Sequence, residues 1–335
     1  MMSLSTSALP IHCRVTFAAV LAFATAAPVF AQEKPGPLKL TIHPLKGGVY
    51  WVEGGRSNTG FIVGKQGVVI VDAQMTEEGV EKELAEISRI TPKPVTLIVI
   101  SHGDPDHVGG LPYYPAGIPI IAQENTKAMV QAIIADPTEV PGYSPVYRAM
   151  AHFLPTRTIG SSETVVLNGV RMVLMYVAPA HTSGDLFVYL PEQKIVFAGD
   201  IHLSNSGRFP VIKIGGSSLG WIASMKAMLA LDADTYVPGH GPIETKAMLQ
   251  ARLRAAEQRR EQVKTMVSDG KSLASVQQEF PREEGDNPRY PTFVEVVYEE
   301  LTKGYPPAGG AYTKLVRVNK TCINRDASCL TLSRE

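Results

Sequence analysis

The decapeptide Ser101-His102-Gly103-Asp104-Pro105-Asp106-His107-Val108-Gly109-Gly110 decides how the rest of the chain is read. It follows Val95-Thr96-Leu97-Ile98-Val99-Ile100, a continuous apolar run of the kind that forms a strand buried on both faces. Two imidazoles and two carboxylates lie within six residues, and the glycines beside them let the backbone turn tightly enough for the side chains to converge. Three later segments repeat the same placement of polar groups just past an apolar strand. Pro179-Ala180-His181-Thr182-Ser183-Gly184-Asp185 follows the run Arg171 to Val177, Gly199-Asp200 follows Ile195 to Ala198, and Pro238-Gly239-His240-Gly241-Pro242 follows Thr235 to Val237. Strand ends on one edge of a layered sheet can bring such loops together. His102, Asp104, Asp106, His107, His181, Asp200 and His240 would then supply enough ligands for two metals if one carboxylate is shared. A two-metal site positions a hydroxide, lowers its pKa and polarises the bond under attack.

Around these loops the chain reads as strands alternating with helices. Short apolar strands are expected at Leu38 to Ile42, Gly48 to Val52, Gly60 to Val63 and Val68 to Val71, with the turn cluster Gly54-Gly55-Arg56-Ser57-Asn58-Thr59-Gly60 among them. Thr76 opens a helix whose Val80, Leu84 and Ile87 fall at helical spacing, and Pro92 and Pro94 end it. Asn168-Gly169 between Thr164 to Leu167 and Arg171 to Val177 marks a hairpin, and a second hairpin joins Leu186 to Leu190 with Ile195 to Ala198. Trp221 to Leu231 reads as an amphipathic helix, Glu244 to about Asp269 as a solvated one, and Leu273 to Phe280 and Phe293 to Thr302 as shorter helices. Mixed strands and helices of this kind predict an α/β layered protein with helices outside.

The whole chain of 335 residues balances 32 Lys+Arg against 32 Asp+Glu, which excludes a basic nucleic-acid binder and an acidic disordered tail. Its first 31 residues carry one charged side chain, Arg14, then an apolar run from Val15 to Phe30 and small residues before Gln32. That is the pattern of a secretory signal peptide, too short for a comfortable membrane span, and it predicts a periplasmic or secreted protein beginning at Gln32. In such a compartment Cys322 and Cys329 are expected to close a small disulfide loop.

His102-x-Asp104-x-Asp106-His107, His181 in His-Thr-x-Gly-Asp, Asp200 in Phe-Ala-Gly-Asp, His240 in Pro-Gly-His-Gly and the upstream Val71-Asp72-Ala73 together resemble the metallo-β-lactamase superfamily. The resemblance runs from about Gly48 to Pro242 in the right order. It implies a four-layer αββα sandwich, taken at residues 32–245, and a binuclear site that is usually zinc; the helical pattern beyond it reads as an extension and tail at 246–335. It places His102, residue 104 and His181 on metal one and Asp106, His107 and His240 on metal two, with Asp200 between them. Where the usual motif has histidine this chain has Asp104, whose extra charge and hard oxygen shift preference from zinc toward iron or manganese. Asp200 is the residue shared with glyoxalase-II-like thioesterases, lactonases and nucleases.

The expected function is a metal-dependent hydrolase that cleaves an ester, thioester, lactone or β-lactam bond of a small molecule with a metal-bridging hydroxide, Asp106 orienting it. A diiron-type redox protein and a non-catalytic metal-binding module are the alternatives. His202, Lys213 and Tyr113 are candidate substrate contacts, with Tyr114 beside the last. Asp72 is expected to orient the metal loop rather than bind metal. His43 and His152 lack ligand spacing, and Gly215-Gly216-Ser217-Ser218 lacks the strand-turn-helix setting of a serine nucleophile.

Overall fold

The computed structural model describes residues 38–136, 143–213, 215–284, 286 and 290–304. The segment expected to be a signal peptide and the pair Cys322 and Cys329 lie outside the described residues.

Seven strands form the first sheet in simple spatial order: β1 (Leu40–Pro44), β2 (Val49–Gly54), β3 (Thr59–Val63), β4 (Val68–Val71), β5 (Val95–Val99), β6 (Ile120–Gln123) and β7 (Arg157–Ile159). β1 to β4 are antiparallel neighbours, and β4 to β7 run parallel. The parallel crossovers are covered by α1 (Glu77–Ile90) and α2 (Pro105–Val108), and by α3 (Glu124–Ala135) with α4 (Ser144–Ala149). α1 starts where expected because the Thr76 hydroxyl accepts from the Gly79 amide and Glu77 and Glu78 sit in the first turn.

The second sheet has the order β12-β11-β10-β9-β8, built from β8 (Glu163–Leu167), β9 (Val170–Met175), β10 (Phe187–Leu190), β11 (Ile195–Phe197) and β12 (Thr235–Val237). Its β8–β9 hairpin turns on Asn168 and Gly169, both at positive φ (54° and 75°), as the sequence requires of a primed two-residue turn. α5 (Ser218–Leu229), α6 (Lys246–Ser268), α7 (Leu273–Glu279) and α8 (Phe293–Lys303) follow.

Side-chain alternation assigns the layers. Val69 and Val71 of β4 and Leu97 and Val99 of β5 point inward to meet Leu174, Val188, Leu190, Ile195, Phe197 and Val237 of the other sheet. Their neighbours Val68, Ile70 and Ile98 face outward onto Val80, Ile87, Val130 and Tyr147 of the helices. On the far side, Phe187, Val196 and Tyr236 pack against Trp221, Met225 and Met228 of α5 and against α6 to α8. The result is the four-layer αββα sandwich. The two sheets come close enough that Gly60 is needed: a Cβ there would lie 2.1 Å from the Phe197 ring.

Two helices differ from the sequence reading. α5 begins three residues before Trp221, capped by Ser217, and is largely buried because α6 and α8 cover the face that a simple amphipathic helix would leave to water. α6 is not merely solvated: Leu249, Leu253, Ala256, Arg260 and Val263 make a buried stripe at helical spacing, which joins the cluster of Trp221 and Phe293. No described helix is long and apolar enough to cross a membrane.

Candidate metal centre

The polar loops meet along one edge of the sandwich, past the ends of β4, β5, β9, β11 and β12. The first wall of the site is a single turn. Asp72, just beyond β4 and held in the left-handed region at φ 63°, accepts from the Ser101 amide (2.7 Å) and hydroxyl (2.8 Å), and its Oδ2 lies 2.8 Å from His107 Nδ1. Ser101 Oγ in turn lies 3.0 Å from His102 Nδ1. Both imidazoles therefore have their Nδ1 atoms occupied, which leaves Nε2 facing the site. Asp72 thus does the orienting expected of it, together with Ala73, whose amide donates to the His107 carbonyl at 2.8 Å.

The second wall comes from three separate loops. His181 is aimed by its Nδ1, 2.8 Å from the Val211 carbonyl oxygen. Its loop is closed by Asp185, which accepts from the amides of Ala180 (3.1 Å) and Thr182 (2.8 Å). Asp200 sits in a 3-10 turn, Gly199–Ile201, after β11. His240 follows β12, and Asn58 pins its loop: the Asn58 side-chain amide donates to the carbonyls of Pro238 (3.0 Å) and Gly241 (2.7 Å). At Gly239 a Cβ would lie 2.0 Å from Asp200 Oδ1, so only glycine lets the two loops approach.

All seven residues expected to bind metal are brought together, in two groups. His102, Asp104, His181 and Asp200 form one, and Asp106, His107 and His240 the other. In the first, Asp104 Oδ2 is 3.4 Å from His102 Nε2 and 3.3 Å from His181 Nε2, while Asp200 Oδ2 is 3.7 and 3.4 Å from the same two nitrogens. In the second, His107 Nε2 is 3.4 Å from His240 Nε2 and 3.8 Å from Asp106 Oδ2, and His240 Nε2 is 3.1 Å from Asp106 Oδ2. The other Asp200 oxygen, Oδ1, faces this group at 3.1 Å from His107 Nε2 and 3.5 Å from His240 Nε2. A tetrahedral ion with bonds of about 2.0–2.1 Å has ligand-to-ligand edges of about 3.3–3.4 Å, and these separations cluster around that value. His102 Nε2 and Asp200 Oδ1 are also buried without a hydrogen-bond partner, as donor atoms meant for an ion would be. The residues fit two divalent ions.

The charges are mutually sustained. Burial pushes the Asp104 carboxyl up, but Lys213 and then His102 outweigh it and hold the group well below the usual carboxylate range. Asp200 behaves alike, with His240, His107 and His102 overcoming its burial. Burial pushes His107 and His240 down, yet the carboxylates win, Asp200 foremost, raising His107 well above its ordinary value and His240 to about 9.

A cavity of about 600 Å³ opens over the site. Asp104, Asp106, His181, Asp200 and His240 form its floor, and Met75, Met129, Ile133, Tyr143, Leu203, Val211 and Tyr290 give it apolar walls, with Arg56 on its border. Of the three candidate substrate contacts, Lys213 reaches this cavity, and its ammonium is hydrogen-bonded to Asp104 Oδ2. The other two do not line it. His202 is buried 3.5 Å from Glu244 Oε2, and burial pushes it down to about 4; Tyr113 is 41% exposed, while its neighbour Tyr114 donates to Glu83 in the core. Tyr290 and Arg56 were not foreseen. Arg56 stands in the Gly-rich turn that the sequence marks between β2 and β3, a signal that could have found it, whereas nothing around Tyr290 distinguishes it.

Comparison with known proteins agrees with this geometry. The chain is 27% identical over 205 residues to the 2,4-dinitroanisole O-demethylase subunit alpha of Nocardioides sp., covering 60% of this chain and 57% of that protein. It is 25% identical over 232 residues to a linear primary-alkylsulfatase of Pseudomonas sp., covering 56% of this chain and 42% of that one. The chain thus spans about half the length of these relatives. A metallo-beta-lactamase from Pontibacter korlensis shares the fold, with a TM-score of 0.55 at 20% identity over 65% of this chain and 99% of its own. The profile of the metallo-beta-lactamase superfamily matches residues 52–240, more than half of the sequence and every one of the clustered residues, and the chain belongs to that superfamily.

Proposed function

We propose that the protein is a metal-dependent hydrolase that opens an ester, thioester, lactone or lactam bond in a small molecule with an apolar portion, and that it works outside the cytoplasm after loss of residues 1–31. The observation that carries this reading is the pair of four-cornered donor sets sharing Asp200 through its two oxygens. His102, Asp104 and His181 would hold one divalent ion and Asp106, His107 and His240 the other. Zinc suits the imidazole-rich set, and the hard oxygen of Asp104 opens the first position to iron or manganese. When bound, the ions supply Lewis acidity and lower the pKa of a water.

The chain's own residues do the rest. Burial raises Asp106, but His107 and His240 prevail and keep it ionised at neutral pH, at the floor of the cavity where it can orient a water and accept its proton. Asp72 and the Val211 carbonyl fix the imidazoles so that little reorganisation accompanies the reaction. Apolar walls exclude bulk water and take the non-reacting part of the substrate.

The test is metal content followed by a panel of ester, thioester, lactone, lactam and sulfate-ester substrates. Hydrolysis of one class that is abolished by chelation and restored by zinc is expected. Iron-loaded protein that consumes oxygen and leaves the whole panel intact would establish the redox alternative instead. Export is checked by intact mass of the secreted form, which should begin at Gln32.

A further inference from the structure

Asp104 places a third carboxylate in a donor set whose usual form, with histidine at that position, has two. An uncompensated extra charge would bind a divalent ion more tightly and make it a weaker Lewis acid. The structure supplies a compensating group. Lys213 lies past the loop of His181, anchored by its own amide to the His181 carbonyl at 2.6 Å, and its ammonium meets Asp104 Oδ2. Its position is built rather than incidental: Nζ stands 4.7 Å above the centre of the Tyr290 ring, and the adjoining Ile212 is fully buried in the core beneath α5. A carboxylate oxygen has two lone-pair directions, so Oδ2 can accept from Lys213 and still face the donors of His102 and His181.

We propose that Lys213 is a resident counter-charge for Asp104, so that the two side chains act as one unit in place of the histidine of the usual motif. This rests on the two-metal reading above. Three carboxylates and one ammonium leave a net charge of −2, the same as two carboxylates and a neutral histidine. Lys213 is therefore a positioning residue that sets the charge of the first metal position, and its ammonium is committed to Asp104 rather than to a substrate anion.

The proposal makes the two positions interdependent in sign. Asp104→His alone restores the usual ligand but strands an ammonium beside a divalent ion, so zinc affinity at the first position should fall roughly a hundredfold. Asp104→His with Lys213→Met should recover it to within about threefold of the native protein. Lys213→Met alone should hold zinc about tenfold more tightly, because the third carboxylate is then uncompensated, and Lys213→Arg should match the native chain to within about threefold. The whole protein is stripped of metal and titrated with zinc against a chromophoric chelator, which reads stoichiometry and both affinities without reference to turnover. The recovery by the double variant also shows that the single one is folded. Equal zinc affinity in Asp104→His with and without Lys213→Met overturns the proposal, as does loss of first-position zinc in Lys213→Met alone. A native protein that binds a single zinc, unchanged by Asp104→Ala, sinks the two-metal reading itself and the counter-charge with it, a pattern that none of the Lys213 variants would produce.

Discussion

The two sheets equip the centre in different ways. The β5–α2 segment of the first sheet delivers His102, Asp104, Asp106 and His107 from six consecutive residues, with Asp72 bracing His107 directly and His102 through Ser101. The second sheet delivers His181, Asp200 and His240 from three loops, each aimed by its own partners: the Val211 carbonyl, the close approach of Gly239, and Asn58. One wall is local and fails as a unit. The other is assembled by long-range packing, and its members should fail one at a time, except for Asp200, which faces both donor groups.

Asp200→Ala is therefore expected to have the largest effect. It should empty both metal positions and lower the proposed hydrolysis by about a thousandfold or more, the several kcal/mol that metal-ion catalysis supplies. His240→Ala should remove the metal from the second position while the first, built on His102, Asp104 and His181, remains filled. Metal counting on the two variants checks the contrast, and equal losses in both would contradict the sharing of Asp200.

Asp72→Asn probes the local wall. It keeps the shape but weakens the acceptor for His107 Nδ1 and the Ser101 hydroxyl, so affinity should fall about 10- to 100-fold at both positions, because Ser101 also touches His102. At His181 no equivalent side-chain substitution exists, because its Nδ1 faces the Val211 backbone carbonyl. A loss confined to the second position would show that the Ser101 link to His102 is idle.

Metal uptake should also distinguish the two groups by pH. An imidazole must lose its proton to bind, so raised pKa values make uptake release protons and weaken it as pH falls. The second group contains His107, raised well above the ordinary value, and His240, raised to about 9, whereas the first contains the raised His181. Between neutral pH and 9 the second position should therefore gain affinity more steeply with pH than the first. Proton release in weakly buffered zinc titrations, resolved by position through His240→Ala, measures both slopes.

This asymmetry also explains what was legible in the sequence. The local wall announces itself, because four chemically distinctive residues follow one apolar strand; β4, α1 and the Asn168-Gly169 hairpin were readable for the same reason, their signals being confined to neighbouring residues. The dispersed wall was readable through small motifs at strand ends, although its aim depends on partners such as Val211 that carry no polar side chain. The stretch from Leu111 to Gly160, which holds β6, α3, α4 and β7, carried weaker signals: α3 is capped by Gln123 rather than by one of the usual capping residues, and of the three residues of β7 Ile159 alone is buried. The cavity wall was equally silent. Tyr290 reaches it from the C-terminal region, and no periodicity encodes that.

The smallest expected effect concerns two buried ionisable groups that stand behind the two walls and bear on stability rather than on rate. Behind the first, Glu83 accepts from Thr59 (2.7 Å) and Tyr114 (2.8 Å), and burial pushes it up to about 7. Behind the second, His202 lies against Glu244, and burial pushes it down to about 4. Both groups are kept neutral, but with opposite consequences. For Glu83 the folded state holds its proton more tightly than the unfolded chain, so stability is fully present below about 4.5, the unfolded value, and is lost as pH rises toward 7. For His202 the unfolded chain takes the proton more readily, so stability is present above about 6.5 and is lost as pH falls toward 4. Each shift corresponds to at most about 3 kcal/mol, which is a few degrees of melting temperature for a chain of this size. Glu83→Gln should flatten the alkaline side of the melting-temperature profile between pH 5 and 7 and leave the acid side alone, and His202→Gln should do the reverse. Melting curves of the metal-free protein across that range decide it, and matching changes in both variants would show that neither group responds to its own wall.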